Sequence, residues 1–250
     1  MRLAIQVEAL KLRHSLVGAI ATLAMVAGLL ALLSGITAGV AGGNPQMIAQ
    51  AGPAGVLDWH GLLAGATQIT AVSSLLGFGV VLAWVFGREF TDGTITGLFA
   101  LPIRLSRIAL AKLGVYALWA VLVGFAAVVG ILILGLAMGY GPPGAQVWAG
   151  LGRLILLEML TAAVAIPVAW IATVTRSVLA GVGGTIALVV LAQIGALAGA
   201  GGWLPLAAPA LWAMSDGAGV GAMQLALVLV LALGFAALVC ATWSRLQLDR

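Results

Sequence analysis

Six long runs of apolar residues, separated by short polar breaks, cover most of this chain. They fall at roughly 16–37, 60–85, 116–138, 149–172, 178–199 and 222–243. Each is close to the ~20 residues a helix needs to cross a bilayer. None alternates apolar and polar residues with period two, as barrel strands do, so the pattern predicts helices that satisfy their own backbone hydrogen bonds in lipid. The expected fold is an all-α integral membrane protein with six transmembrane helices in a single domain spanning 1–250.

Three shorter segments stand outside the runs. In residues 2–14, Leu3, Val7 and Leu10 fall at i, i+4 and i+7 beside Lys11 and Arg13, which suggests a short interfacial helix on the inner membrane surface, with a frayed basic tail as the other reading. Residues 200–221 hold Gly201, Gly202, Pro205, Pro209 and two tryptophans. That segment is too apolar for a free loop and too broken for a span, so a re-entrant or interfacial outer hairpin is expected. The third segment, 87–112, is a charged island: six of the 18 charged residues of the protein lie between Arg88 and Lys112.

Composition agrees with the pattern. The 250 residues are 63% hydrophobic and 7% charged, with a mean hydropathy of +1.22, far from the ~25% charged residues of soluble domains. The net charge of +4 suggests nucleic acid at first sight, but topology explains it better. If both termini face the cytoplasm, ten of eleven basic residues lie inside and only Arg153 lies outside, as the positive-inside rule requires. Trp59, Trp148, Trp203 and Trp212 then fall near the outer boundary and Trp84, Trp119, Trp170 and Trp243 near the inner one, so all eight are expected as interface anchors. The localisation implied is a bacterial inner (cytoplasmic) membrane, multi-pass, with the lipid bilayer as surroundings and no nucleic-acid partner. Gly39 and Ala41 could serve a signal peptidase, but the apolar region Leu16–Leu33 is longer than an ordinary signal-peptide core, which favours a retained span.

Several chemistries find no support in the sequence. One cysteine, Cys240, provides neither a disulfide framework nor a cysteine metal site. His14 and His60 lie far apart, so no metal site is expected. There is no G-x-x-x-x-G-K-[ST] and no G-x-S-x-G, so neither ATP binding by a phosphate loop nor a catalytic residue is expected in this chain. Glu158 is the one acidic residue inside a span. An intramembrane carboxylate is costly and is a functional candidate by default, here as a possible pathway residue. The competing reading is a shallow, outer-leaflet carboxylate loosely paired with Arg153, about 7.5 Å away along the helix. Glycine pairs at Gly61/Gly65, Gly135/Gly139 and Gly195/Gly199 are expected to serve close helix packing.

Within the charged island, Ile95, Leu98 and Phe99 fall at i, i+3 and i+4 and give one helical turn an apolar face. Asp92 or Thr94 is placed to cap its start, and Pro102 to close it. A basic connector alone would explain the arginines, but not Glu89, Asp92 or the apolar face.

The string REFTDGTITGLFALPIRLSRIALAK, residues 88–112, resembles the segment after the second span of ABC-2 type permeases, the membrane subunits of bacterial ABC exporters. The matching positions are Glu89, Gly93-Thr94, Leu98 to Leu101, Pro102, Ser106-Arg107 and Lys112. The layout is similar too, with a basic elbow helix, six spans and a broken outer segment before the sixth. The small size resembles permeases of bacteriocin-immunity and drug-efflux systems. The resemblance implies a separate ATPase subunit that binds ATP and Mg, with no cofactor in this chain. It also implies a second permease copy or paralogue that completes the pathway, and a coupling helix within 89–101. Glu89, Asp92, Thr94, Ile95, Leu98 and Phe99 would form the ATPase-coupling site, with Glu89 and the apolar face as the lever surface. Near-uniform apolarity favours an amphipathic or lipophilic cargo, such as a drug, peptide antibiotic or lipid. A non-transporting membrane scaffold or assembly factor, and a secondary transporter using Glu158, are the other readings.

Overall fold

The computed structural model describes residues 2–100 and 102–247, and every described element of regular structure is helical. Six helices among them are long and apolar enough to cross a membrane, as an all-α integral membrane protein requires. Arg250 and Leu101, which enter the charge count and the apolar turn, lie outside the described residues.

Helix α1, Arg2–Arg13, runs into α2, Leu16–Ala41, through a sharp elbow at Ser15. The Ser15 hydroxyl donates to the Leu12 carbonyl at 2.8 Å and accepts from the Gly18 N–H at 2.9 Å, closing one helix and capping the next. The expected apolar stripe of α1, Leu3, Val7 and Leu10, faces outward, and the helix instead buries Glu8 and Leu12. Helix α3, Pro45–Ala51, and a 3-10 turn at Gly52–Gly55 lead to α4, Trp59–Thr91. A five-residue helix, α5, Ile95–Phe99, then precedes α6, Leu105–Ala137.

The fourth apolar run is two helices rather than one: α7, Ala145–Val164, and α8, Pro167–Thr175. Proline has no N–H and cannot continue the ladder. Ile166 N–H shifts to the Ala163 carbonyl, and the Tyr116 hydroxyl of α6 donates to the Ala162 carbonyl at 2.8 Å. A neighbouring helix thus satisfies the backbone that the break frees. Helix α9, Val178–Leu197, a 3-10 turn at Gly201–Trp203, α10, Ala208–Met214, and α11, Ala222–Ser244, complete the chain.

Helix α4 is the axis of the fold and packs on α2, α7, α8 and α9. Its approach to α9 uses a small-residue row that the glycine-pair reading omits: Gly79, Ala83 and Gly87, at i, i+4 and i+8. A Cβ on Gly79 would lie 2.2 Å from Thr185 Cγ2, and one on Gly87 would lie 2.8 Å from the Val178 Cα. Gly181 of α9 faces Ala83 in the same seam. In two of the three predicted pairs only the first glycine serves close packing: a Cβ on Gly135 would lie 2.3 Å from the Trp59 ring, and one on Gly195 2.0 Å from Leu204 Cδ2. Gly139 and Gly199 have φ of 81° and 75° and end α6 and α9. The following N–H groups, of Tyr140 and Ala200, return to the Gly135 and Gly195 carbonyls. That is a helix-stop motif whose glycine spacing coincides with G-x-x-x-G.

The tryptophans divide as well. Trp148 and Trp203 are exposed, as anchors would be. Trp243 is fully buried, packed edge-on against Phe86 and Phe90, with its indole N–H donated to Thr173 Oγ1 at 3.1 Å. Trp59 is also buried and donates to the Gly141 carbonyl. These two are core residues, a correction to the expectation of eight interface anchors.

Candidate functional site

Helices α4 and α6 each have 33 residues, about 50 Å at 1.5 Å per residue, against a ~30 Å hydrocarbon layer. At the arginine- and lysine-rich end of the fold their ends, with α1, enclose a set of buried charges. Lys112 of α6 has no exposed surface. Its ammonium donates to Glu8 Oε2 at 2.7 Å, to Glu89 Oε1 at 2.9 Å and to the Val85 carbonyl at 3.1 Å, which uses all three of its protons. Lys11 of α1 bridges the same two carboxylates, at 3.0 Å to Glu8 Oε1 and 2.8 Å to Glu89 Oε1. Burial pulls the Lys11 ammonium down, but the Glu89 hydrogen bond and the Glu8 charge outweigh it and hold its pKa above the ordinary value. Two anions and two cations therefore neutralise one another where an unpaired charge would cost several kcal/mol. Aromatic faces adjoin the cluster: the Lys112 ammonium lies 5.9 Å from the Trp243 ring, and the Arg88 guanidinium 4.5 Å from the Trp84 ring.

This geometry corrects the expected role of Glu89. Its side chain is 1% exposed and turns into the protein, so it presents no charge to a soluble partner. The connection to the loop runs through its second oxygen, which accepts from the Thr94 hydroxyl. Thr94 sits at the N-cap position of α5 without capping it, and Asp92 closes α4 and pairs with Arg88 Nε at 3.6 Å. Neither expected cap is made. Gly93, at φ 68°, supplies the left-handed turn between α4 and α5. Ile95 and Leu98 are half-buried against the protein's own core, while among the described residues Phe99 does not join that packing. The solvent-facing side of the segment carries Asp92, Thr96, Arg104 and Arg107.

Sequence reasoning missed Glu8, Lys11 and Lys112 as members of one cluster. Lys11 and Lys112 are the only lysines in the chain and both lie here. A cation in a chain so poor in charge, placed one helical turn from an acid in α1 and inside an apolar run in α6, is the signal that was available.

Glu158 occupies a different setting. It is 4% exposed, enclosed by α4, α6 and α7. Ser74 Oγ donates to its Oε1 at 3.1 Å, and Oε2 has no hydrogen-bond partner. Gly124 of α6 leaves room for the side chain, 3.4 Å from Glu158 Cβ to where a Cβ would stand. Ser74 is the sixteenth residue of the 33 in α4, which puts Glu158 near the middle of the apolar layer rather than at its edge. Arg153 pairs instead with Asp216, at 2.8 Å. The shallow, Arg153-paired Glu158 is therefore overturned.

Among the described residues no group of three or more His, Cys, Asp or Glu side chains could hold a metal. The family model described as ABC-2 family transporter protein matches residues 4–195. The chain belongs to that family. The match runs from α1 nearly to the end of α9, and so covers the charge cluster, α5 and Glu158. Neither a curated protein nor a solved structure matches the chain. Membership makes this a permease-type membrane component of a transporter, of a kind that normally works with an ABC ATPase.

Proposed function

We propose that this chain is the membrane-spanning permease subunit of an ATP-driven exporter in a bacterial inner membrane. Two copies, or one copy and a paralogue, enclose the pathway, and a separate ATPase subunit binding ATP and Mg docks on residues 87–112. The basic end, with both termini, faces the cytoplasm. The cargo is amphipathic or lipophilic.

The observation that carries the coupling role is the tie from loop to bundle. Thr94 bonds Glu89, and Glu89 is bonded in turn by Lys11 of α1 and Lys112 of α6. Ile95 and Leu98 seat α5 on the same core. A push on α5 would reach three helices at once through the Thr94–Glu89 bond, a route suited to driving a rigid-body rocking motion. The lever is thus internal, and the surface available to the ATPase is Asp92, Thr96, Phe99, Arg104 and Arg107.

The test is pull-down of the ATPase and cargo-stimulated ATP hydrolysis at matched expression. Phe99→Ala with Arg104→Glu is expected to weaken association several-fold while leaving the permease folded, since these side chains lie outside the core. Wild-type association and stimulation in that double variant would overturn the docking surface. A second reading, a proton-driven carrier, draws on the unpartnered oxygen of Glu158. Transport that follows a pH gradient and persists without ATP would favour it.

A further inference from the structure

At the end of the fold opposite the charge cluster, a cavity of about 770 Å³ opens between α4, α7 and α10. That volume lies within the range of small-molecule sites. Its polar lining is Asp58, His60, Thr67, Gln68, Gln146, Arg153 and Asp216. A second cavity of about 230 Å³ lies deeper, between α4, α7, α9 and α10. Its walls are mostly Ala, Val and Leu, with the amides of Gln68 and Gln193 as polar points. Gln68 and Met214 line both. The two volumes therefore adjoin, with a polar vestibule leading into an apolar slot. From Asp58 to Leu75, at the slot's inner end, α4 rises about 26 Å.

The charges select among ligands. Arg153 and Asp216 neutralise each other at 2.8 Å. Asp58 has no cationic partner among the described residues; one of its oxygens caps α4 by accepting the Gly61 N–H at 2.8 Å. Of the three charged side chains in the lining, Asp58 is thus the one outside an ion pair, with the imidazole of His60 on the same wall. Gln68 and Gln193 are exposed and make no hydrogen bond among those the described residues form, so their amides are free to meet a ligand.

We propose that the vestibule and slot bind a single-chain amphiphile with a cationic amine head. Its ammonium is held by Asp58 and the vestibule amides, and its chain lies in the slot between α9 and α10. As an assignment of cargo this rests on the transporter reading, but the binding itself requires neither ATP nor a partner. Buried apolar chain supplies the affinity, while the head-group charge supplies selectivity.

The probe is dodecylamine carrying a photoreactive diazirine on its chain, with the identically tagged dodecanol and dodecanoic acid for comparison. Each is photolysed with purified permease in nanodiscs and the adducts are mapped by mass spectrometry. The amine is expected to label slot residues such as Ala192 and Met214 in competition with untagged dodecylamine, and the acid to label them weakly. Asp58→Asn keeps the helix cap, for which Asn serves as well as Asp, and removes the charge. It should reduce amine labelling roughly tenfold, the scale of one charge-assisted contact, and leave dodecanol labelling unchanged. Ala192→Trp should abolish slot labelling by filling it, and Gln193→Leu, a milder change on the same wall, should reduce it. Equal labelling by all three head groups, or amine labelling indifferent to Asp58→Asn, would show only bilayer hydrocarbon in a groove and overturn the proposal. Because no ATPase is present, that failure is distinct from failure of the pull-down, which bears on the exporter reading alone.

Discussion

Glu89 and Glu158 are both buried carboxylates in one apolar bundle, yet their surroundings differ sharply. Glu89 accepts from Lys11, Lys112 and Thr94, and its charge is balanced within a set of two acids and two bases. Glu158 accepts from Ser74 alone and leaves one oxygen without a partner. Burial of a charge is tolerable when it is paired and hydrogen-bonded, and is otherwise a standing cost. The first arrangement fastens three helices together at the end where force would enter. The second places an incompletely satisfied group at the centre, where helices move past one another if the pathway opens. Stability resides at the first carboxylate and latitude at the second.

The largest expected effect breaks the balanced cluster. Lys112→Met removes a cation that holds both acids and leaves net negative charge in a sealed site. Breaking a buried pair from one side costs about 3–5 kcal/mol. Thermal unfolding in detergent should show a fall of many degrees, and Glu89→Lys should do as badly by stacking three cations. The sharper test is the cycle. Glu89→Gln combined with Lys112→Met leaves Glu8 and Lys11 as a balanced pair and should recover much of the loss. If the double variant is as unstable as the sum of the singles, the charges do not act as one unit.

At Glu158 the sign reverses. Glu158→Met with Ser74→Ala replaces a poorly satisfied polar pair by apolar groups of similar size, a change that is neutral or stabilising by about 1–3 kcal/mol. The same variant should impair transport if the group serves the pathway. Lower stability with intact transport would mean that Glu158 is a structural residue like Glu89, and the contrast would fail.

How far these differences could be read from the sequence follows from what each depends on. Six spans were legible because twenty consecutive apolar residues admit little else in 250 positions. The elbow at Ser15 and the cap at Asp58 follow local rules, and local rules can be read from one chain. The charge cluster depends on contacts such as Glu8 to Lys112, 104 residues apart. No periodicity records such a pairing. Glu89 was singled out correctly as unusual, but which way it points is decided by Lys112 in the next helix. The glycine pairs were half legible for a related reason: Gly135 does pack closely, against Trp59, but Gly139 ends the helix, and only its positive φ reveals that second role. Trp59 and Trp243 were placed at the correct ends of their helices, but position along a helix does not specify which face meets lipid. The break at Pro167 was not read from the apolar run 149–172, and its compensation could not be, because the hydroxyl that repairs it belongs to Tyr116 in another span.

The smallest effect is at the hinge between loop and cluster. Thr94 is exposed at its backbone turn, yet its hydroxyl is the one side-chain bond from the loop to the buried carboxylates among those the described residues form. Thr94→Val keeps the shape and removes the donor. Glu89 Oε2 loses a partner but Oε1 retains both lysines, so the cost to stability should be small, about 1 kcal/mol. The effect on coupling should be disproportionate. With the bond gone, α5 still rests on Ile95 and Leu98, and a push on it meets an apolar contact that can slide. We expect near-normal unfolding temperature, near-normal ATPase pull-down and cargo-stimulated ATP hydrolysis reduced several-fold. Thr94→Ser restores the hydroxyl and should restore stimulation, which a merely structural role for the methyl group would not predict. If Thr94→Val hydrolyses and transports as the wild type does, force does not pass through Glu89, and the balanced cluster serves only to hold the helix ends together.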